Sequence, residues 1–162
     1  MTSQQELAKE LTMLAEASGS VEDLMSVIVG RLQERLGHFD WVGFYMIEKG
    51  RLGEEPVLVL GPYVGAVTEH TRIPLSQGIC GAAASSGHTV VIDDVSKDPR
   101  YLACSLETKS EIVVPIFVRN KVVGELDIDS HFPAAFKDAD RELVEFCAGL
   151  MGAYLANSQP SN

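Results

Sequence analysis

The stretch from Ser110 to Ser130 limits the fold of this chain more than any other. Apolar residues stand at every second position, in the order Ile112, Val114, Ile116, Val118, Val122, Gly124, Leu126 and Ile128, on either side of Arg119-Asn120-Lys121. A period of two marks strands, and two such runs around a short polar break make a β-hairpin. A three-residue connection pairs Val118 with Val122 and sets Glu111 opposite Asp129. One face of the hairpin is then wholly apolar. The other carries Glu111, Val113, Pro115, Phe117, Val123, Glu125, Asp127 and Asp129. A slip of one residue would exchange the two sets, so the pattern itself selects the register.

That register gathers Glu111, Asp127 and Asp129 at one end of one face. Two readings of this face stand. It looks at water, as one side of many antiparallel sheets does. Alternatively, since Val113, Pro115, Phe117 and Val123 share it, it is the mixed apolar and acidic wall of a pocket for a small cationic ligand. In the second case three close like charges repel, and at least one pKa is raised.

The rest of the chain supplies the covering layers. Ser3 to Ala17 reads as a first amphipathic helix, with Leu7, Leu11, Met13 and Leu14 at helical spacing. Ser18-Gly19-Ser20 breaks it, and Ser20 caps a second helix with Leu24, Val27, Ile28, Leu32 and Leu36 on one stripe, ending at Gly37. Trp41 to Ile47 and Val57 to Val64 read as strands, the latter interrupted at Gly61-Pro62. Thr71 to Leu75 and Thr89 to Ile92 are further extended pieces. Gly78 to Ala84 is a tight turn into a short, closely packed helix. Asp93 to Ser110 is a long loop, of a length that is often functional. A last helix opens at Phe136-Lys137-Asp138 with Leu143, Val144, Cys147, Leu150, Met151, Tyr154 and Leu155 on its apolar stripe. This order predicts an α+β fold, a central antiparallel sheet with helices on both faces.

Composition narrows the function. The 162 residues are 46% hydrophobic with a formal net charge of −10, which fits one domain and repels phosphate backbones and anionic membrane surfaces. There is no apolar run of the roughly 18 residues that a membrane span needs, and no secretory leader at Met1-Thr2-Ser3. A cytoplasmic protein is expected. Its three cysteines show no CxxC pair and there is no HxxxH pair, so no tetrahedral metal site is expected.

Each cysteine has its own reading. Cys147, between Leu143 and Met151 on a helical stripe, is core filler. Cys80 sits at the start of the short helix, where it either packs or, with its pKa lowered by the helix N-terminus, reacts. Cys104 lies in the long loop, where packing explains a thiol less well. Trp41 and Tyr45 share one strand face with Gly43 leaving room between them. They are either core or the walls of a pocket for a methyl, a thioether or a cation.

From Asp40 to Tyr154 the chain resembles GAF domains of the free methionine-(R)-sulfoxide reductase type. The resemblance rests on Trp41-Val42-Gly43-Phe44-Tyr45, Leu60-Gly61-Pro62-Tyr63, Arg72-Ile73-Pro74, Gly78-Ile79-Cys80-Gly81-Ala82-Ala83, Tyr101-Leu102-Ala103-Cys104, Ser110-Glu111-Ile112-Val113-Val114-Pro115 and Leu126-Asp127-Ile128-Asp129-Ser130. It implies a single GAF domain over residues 1–162, with helices at 1–37 and 137–157, and a homodimer. It also implies reduction of free methionine-(R)-sulfoxide without a cofactor, recycled by thioredoxin or a small thiol. Cys104 matches the family's catalytic thiol and Cys80 an accessory cysteine. Glu111, Asp127 and Asp129 match the acids that hold the substrate amine or donate a proton. Trp41 and Tyr45 match aromatics near its methyl and sulfur. Two positions depart: His70 stands where the family usually has a further, resolving cysteine, and Ser105 where it usually has Asp. The His70 departure favours the alternative of a non-enzymatic GAF module that senses a small amino-acid-like ligand.

Overall fold

The structure, a computed structural model, describes residues 1–102 and 106–158. Helix α1 spans Ser3–Ala17 and α2 Val21–Arg35. Strands β1 (Trp41–Glu48), β2 (Val57–Val64) and β3 (Arg72–Pro74) follow, then helix α3 (Gly78–Ser86) and strand β4 (Val90–Ile92). After a single 3₁₀ turn at Val95–Lys97 come β5 (Ser110–Val118), β6 (Lys121–Ser130) and α4 (Asp138–Ser158). The six strands form one sheet in the order β3-β2-β1-β6-β5-β4, antiparallel at every junction. The predicted α+β plan is the observed one.

Helices α1, α2 and α4 cover one face. Their stripes meet Val42 and Phe44 of β1, Ile112, Val114 and Ile116 of β5, and Leu126 and Ile128 of β6 in the larger core. Ser20 caps α2 as expected, its hydroxyl accepting from the Asp23 amide at 3.1 Å. Met13 is the exception on α1. It stands in solvent, because Leu7, Leu11 and Ala15 already define the buried stripe and Met13 lies off it. Cys147 is fully buried in this core, and the loss of water pushes its thiol up to about 12. It is core filler.

The hairpin keeps the expected register where the acids lie, with Glu111 opposite Asp129 and Val113 opposite Asp127. Its tip differs. Val118 pairs with Lys121, not with Val122, and the two-residue turn Arg119-Asn120 has φ of 50° and 65° at its centre. Such turns match the right-handed twist of a hairpin. Val123 absorbs the mismatch as a bulge between the Ile116–Gly124 and Phe117–Val122 pairs. So Val123 packs into the larger core and Val122 against the opposite cluster, the reverse of the simple alternation. At β2, Gly61-Pro62 does not break the strand either. It is taken up by a bulge opposite Phe44.

Among the described helices, α3 is the one that covers the other face, against β5 and β6. A second, smaller core forms there from Trp41, Tyr45, Leu58, Ile73, Ile79, Cys80, Ala83 and Val113. Gly78 opens α3 at φ 71°, a conformation that side chains rarely adopt, and Leu102 packs directly against it.

Candidate functional site

Strand pairing lays out the floor of the site as three rows. Trp41, Asp129 and Glu111 lie side by side across β1, β6 and β5. Gly43, Asp127 and Val113 form the next row, and Tyr45, Glu125 and Pro115 the third. All of these point to the α3 side, because the alternate residues of each strand belong to the larger core. The solvated-face reading of the acids therefore fails. Glu111, Asp127 and Asp129 are about 95% buried and Glu125 wholly so.

Four buried carboxyls on adjacent strands need either protons or cations. Among the described residues none of the four forms an ion pair with Lys, Arg or His. Protons carry part of the load. Burial and the neighbouring Asp127 and Asp129 charges push Glu111 well above the usual carboxylate range. Its hydrogen bonds to both aspartates favour the proton on Glu111, and the same bonds oppose the rise in Asp127 and Asp129. Burial raises both aspartates nonetheless. Of the three predicted acids, Glu111 is the one whose hydrogen bonds to the other two favour the protonated form. Among the described residues, Asp127 Oδ1, Asp129 Oδ1 and both oxygens of Glu125 have no hydrogen-bond partner.

Glu125 is the member of the cluster that sequence reasoning misses. Its parity with Asp127 and Asp129 puts it on the same face, but it lies two residues further from the Glu111 end. Packing of α3 makes that separation irrelevant. Burial, then the Asp127 charge, raise its pKa.

Helix α3 lowers Cys80 onto this floor, and its Sγ donates to Asp127 Oδ2 at 3.3 Å. Of the two readings of Cys80, the one with a pKa lowered by the helix N-terminus is opposed by its surroundings. Burial, and then the charges of Asp127, Glu125 and Glu111, push the thiol well up. Desolvation and three carboxylates outweigh a short helix's dipole.

The aromatics divide the site in two. Tyr45, Cys80, Glu111 and Asp127 line one cavity with His70, Ile73, Gly78, Ile79 and Leu102. Its free space is about 20 Å³, room for roughly one water. Trp41 and Asp129 line a neighbouring cavity of about 90 Å³ with Asp40, Ala66, Thr68, Thr108 and His131. The hydrogen-bonded acids join the two. Space in front of Gly43 is taken by the Trp41 indole itself, since a Cβ there would meet its Cζ3 at 2.7 Å and Tyr63 Cβ at 2.9 Å. Trp41 stacks on Tyr63 and Tyr45 at 5.5 and 6.2 Å and donates from Nε1 to the Ala66 carbonyl at 3.0 Å. Tyr45 donates its hydroxyl to the His70 carbonyl at 2.7 Å. Both aromatics are thus core and cavity wall at once.

Cys104 lies outside the described residues. Leu102, two positions before it in the sequence, lines the 20 Å³ cavity. A larger cleft of about 350 Å³ between α4 and β5 contains none of the predicted site residues.

A family profile for the GAF domain matches residues 20–155. The chain is 39% identical over 111 residues to the free methionine-R-sulfoxide reductase of Escherichia coli K12, covering 68% of this chain and 63% of that protein. It is 42% identical over 113 residues to the free methionine-R-sulfoxide reductase of Saccharomyces cerevisiae, covering 69% and 61%. The matched part thus spans about three-fifths of those relatives. Among solved structures, the free methionine-R-sulfoxide reductase of Neisseria meningitidis in complex with its substrate is similar at a TM-score of 0.87 and 31% identity, over 96% of this chain and 90% of that one.

Proposed function

The chain belongs to the GAF domain family, in the branch of the free methionine-R-sulfoxide reductases, and from that premise we propose that it reduces free methionine-(R)-sulfoxide to methionine. The observation that carries this reading is the group of four buried carboxyls with no cation among the described residues. An amino acid's ammonium supplies the missing charge, and a peptide-bound methionine has none to offer. We read residues 1–162 as one domain and the protein as a cytoplasmic homodimer served by thioredoxin or a small thiol.

In this mechanism Asp127 and Asp129 hold the ammonium, with Trp41 and Tyr45 against the methyl and sulfur. The Cys104 thiolate attacks the sulfoxide sulfur while Glu111, the acid that keeps its proton, protonates the oxygen. Oxygen passes to sulfur, so methionine leaves and Cys104 becomes a sulfenic acid. Cys80 then gives up its proton to Asp127 and attacks that sulfur, forming a disulfide and releasing water. Two electrons from thioredoxin, or from a small thiol, restore both cysteines. Cys80 thereby takes the resolving role that a cysteine at the His70 position would have.

The test is a coupled assay on the two epimers of free methionine sulfoxide, with thioredoxin and with dithiothreitol. Turnover of the R epimer alone, abolished by Cys104→Ser, is the expected result. Binding of methionine without turnover, even in dithiothreitol, would contradict it and favour a sensing module, the reading that His70 supports.

A further inference from the structure

The 20 Å³ cavity is too small for an amino acid as it stands, yet it is the right size for a bare ion. Cys80 Sγ, one carboxylate oxygen of Glu111 and one of Asp127 lie within 4.8 Å of one another around it. The Sγ to Asp127 Oδ2 distance of 3.3 Å is already close to a donor–donor edge around tetrahedral zinc, about 3.5 Å from Zn–S near 2.3 Å and Zn–O near 2.1 Å. Asp127 Oδ1 and the whole Glu125 carboxylate are buried without a partner among the described residues, and Glu125 lies against the same thiol. Hydrogen bonds within the cluster do not satisfy these oxygens. A cation bound in the cavity satisfies them, as does a donor from outside the cluster.

The donor set decides which cation. One thiolate with two carboxylates is a borderline-soft, low-coordinate arrangement that suits zinc and its spectroscopic relatives cobalt and cadmium. Calcium and magnesium ask for six or more oxygens, waters included, and gain nothing from sulfur. The spacing 80, 111, 127 has no motif in the sequence, since a helix and two strands bring the donors together.

We propose that Cys80, Glu111 and Asp127 form a site for one zinc-class divalent ion. On binding, the thiol proton and the proton shared by the acids pass to water, and the ion takes three donor atoms with Glu125 behind them. Ion binding stands on this geometry alone. Its consequence, that ion and substrate amine exclude each other, rests on the function proposed above, because both use Asp127.

Reduced, metal-free, full-length protein is titrated with Zn²⁺ by calorimetry and with Co²⁺ by absorption. One equivalent binds, and cobalt gives a thiolate charge-transfer band in the near ultraviolet. Cys80→Ser abolishes the band, Cys80→Ser and Asp127→Asn each weaken binding by at least about tenfold, and Cys104→Ser and Cys147→Ser leave it unchanged. Absence of stoichiometric binding to the wild type, unaltered binding in Cys80→Ser, or a band that follows Cys104 instead overturns the site. Added methionine weakens apparent zinc affinity if the two compete. Zinc binding indifferent to methionine, in a protein that turns over the sulfoxide, overturns the competition and leaves the ion site standing.

Discussion

Replacing Glu111 with Gln lowers kcat for free methionine-(R)-sulfoxide by about 10²–10⁴-fold, the usual contribution of a positioned acid, while the protein stays folded. The effect falls on kcat because the substituted amide keeps the size and the hydrogen bonds of the side chain but cannot deliver a proton to the sulfoxide oxygen. KM moves less, since Asp127 and Asp129 remain for the ammonium. In the wild type, burial and the two aspartates hold the Glu111 proton above the ordinary carboxylate range. Activity therefore falls with rising pH once Glu111 ionises, and that alkaline limb is absent in Glu111→Gln. Steady-state kinetics across pH check both points. A variant within threefold of wild type would remove Glu111 from the chemistry.

The second large effect is on stability. Glu111, Glu125, Asp127 and Asp129 all have raised pKa values in the folded protein. Unfolded, they titrate near 4. Between that value and their folded values the native state binds more protons than the unfolded state, so stability falls as pH rises. The contribution is fully present below about pH 4 and is lost as pH climbs through the folded values. Cys80 and Cys147, also raised, extend the decline above about pH 8.5, where an unfolded thiol ionises. Asp94 and Asp98 are held low by Ser96 and Arg100 and act in the opposite sense, but both lie near solvent and contribute little. Urea titrations of ligand-free protein are expected to show lower stability at about pH 8 than at about pH 5, because the fold holds these protons more tightly than the unfolded chain does. Glu125→Gln removes one titrating group, flattens the curve and raises stability at the higher pH by about 1–2 kcal/mol. A flat wild-type curve would mean that the acids are ionised and solvated.

How much of this is legible in the sequence differs by element. The hairpin is, because a period of two over Ile112 to Ile128 leaves only one register that buries an apolar face. That pattern sets Glu111 opposite Asp129 correctly even with the wrong turn. The bulge at Val123 cannot be read, since Val122 and Val123 are interchangeable to any hydrophobic pattern. Cys80 shows the same limit in its electrostatics. Its place at a helix start is local information and argues for a lowered pKa, whereas the carboxylates that raise it come from β5 and β6, which only the fold brings near. Glu125 is legible by parity but has no local mark to set it apart from a surface acid. The aromatic pair is legible as a shared face, and only the structure shows that Trp41 fills the gap left by Gly43.

If the buried acidic face of β5 and β6 binds the ammonium of a free amino acid, blocking that ammonium removes the activity. The most direct measurement compares kcat/KM for free methionine-(R)-sulfoxide with that for its N-acetyl derivative, which keeps the sulfoxide and the carboxylate but lacks the charge. An unpaired set of buried carboxylates predicts a loss of at least about 10³-fold on acetylation, equal to about 4 kcal/mol. Equal kcat/KM for the two compounds would contradict it.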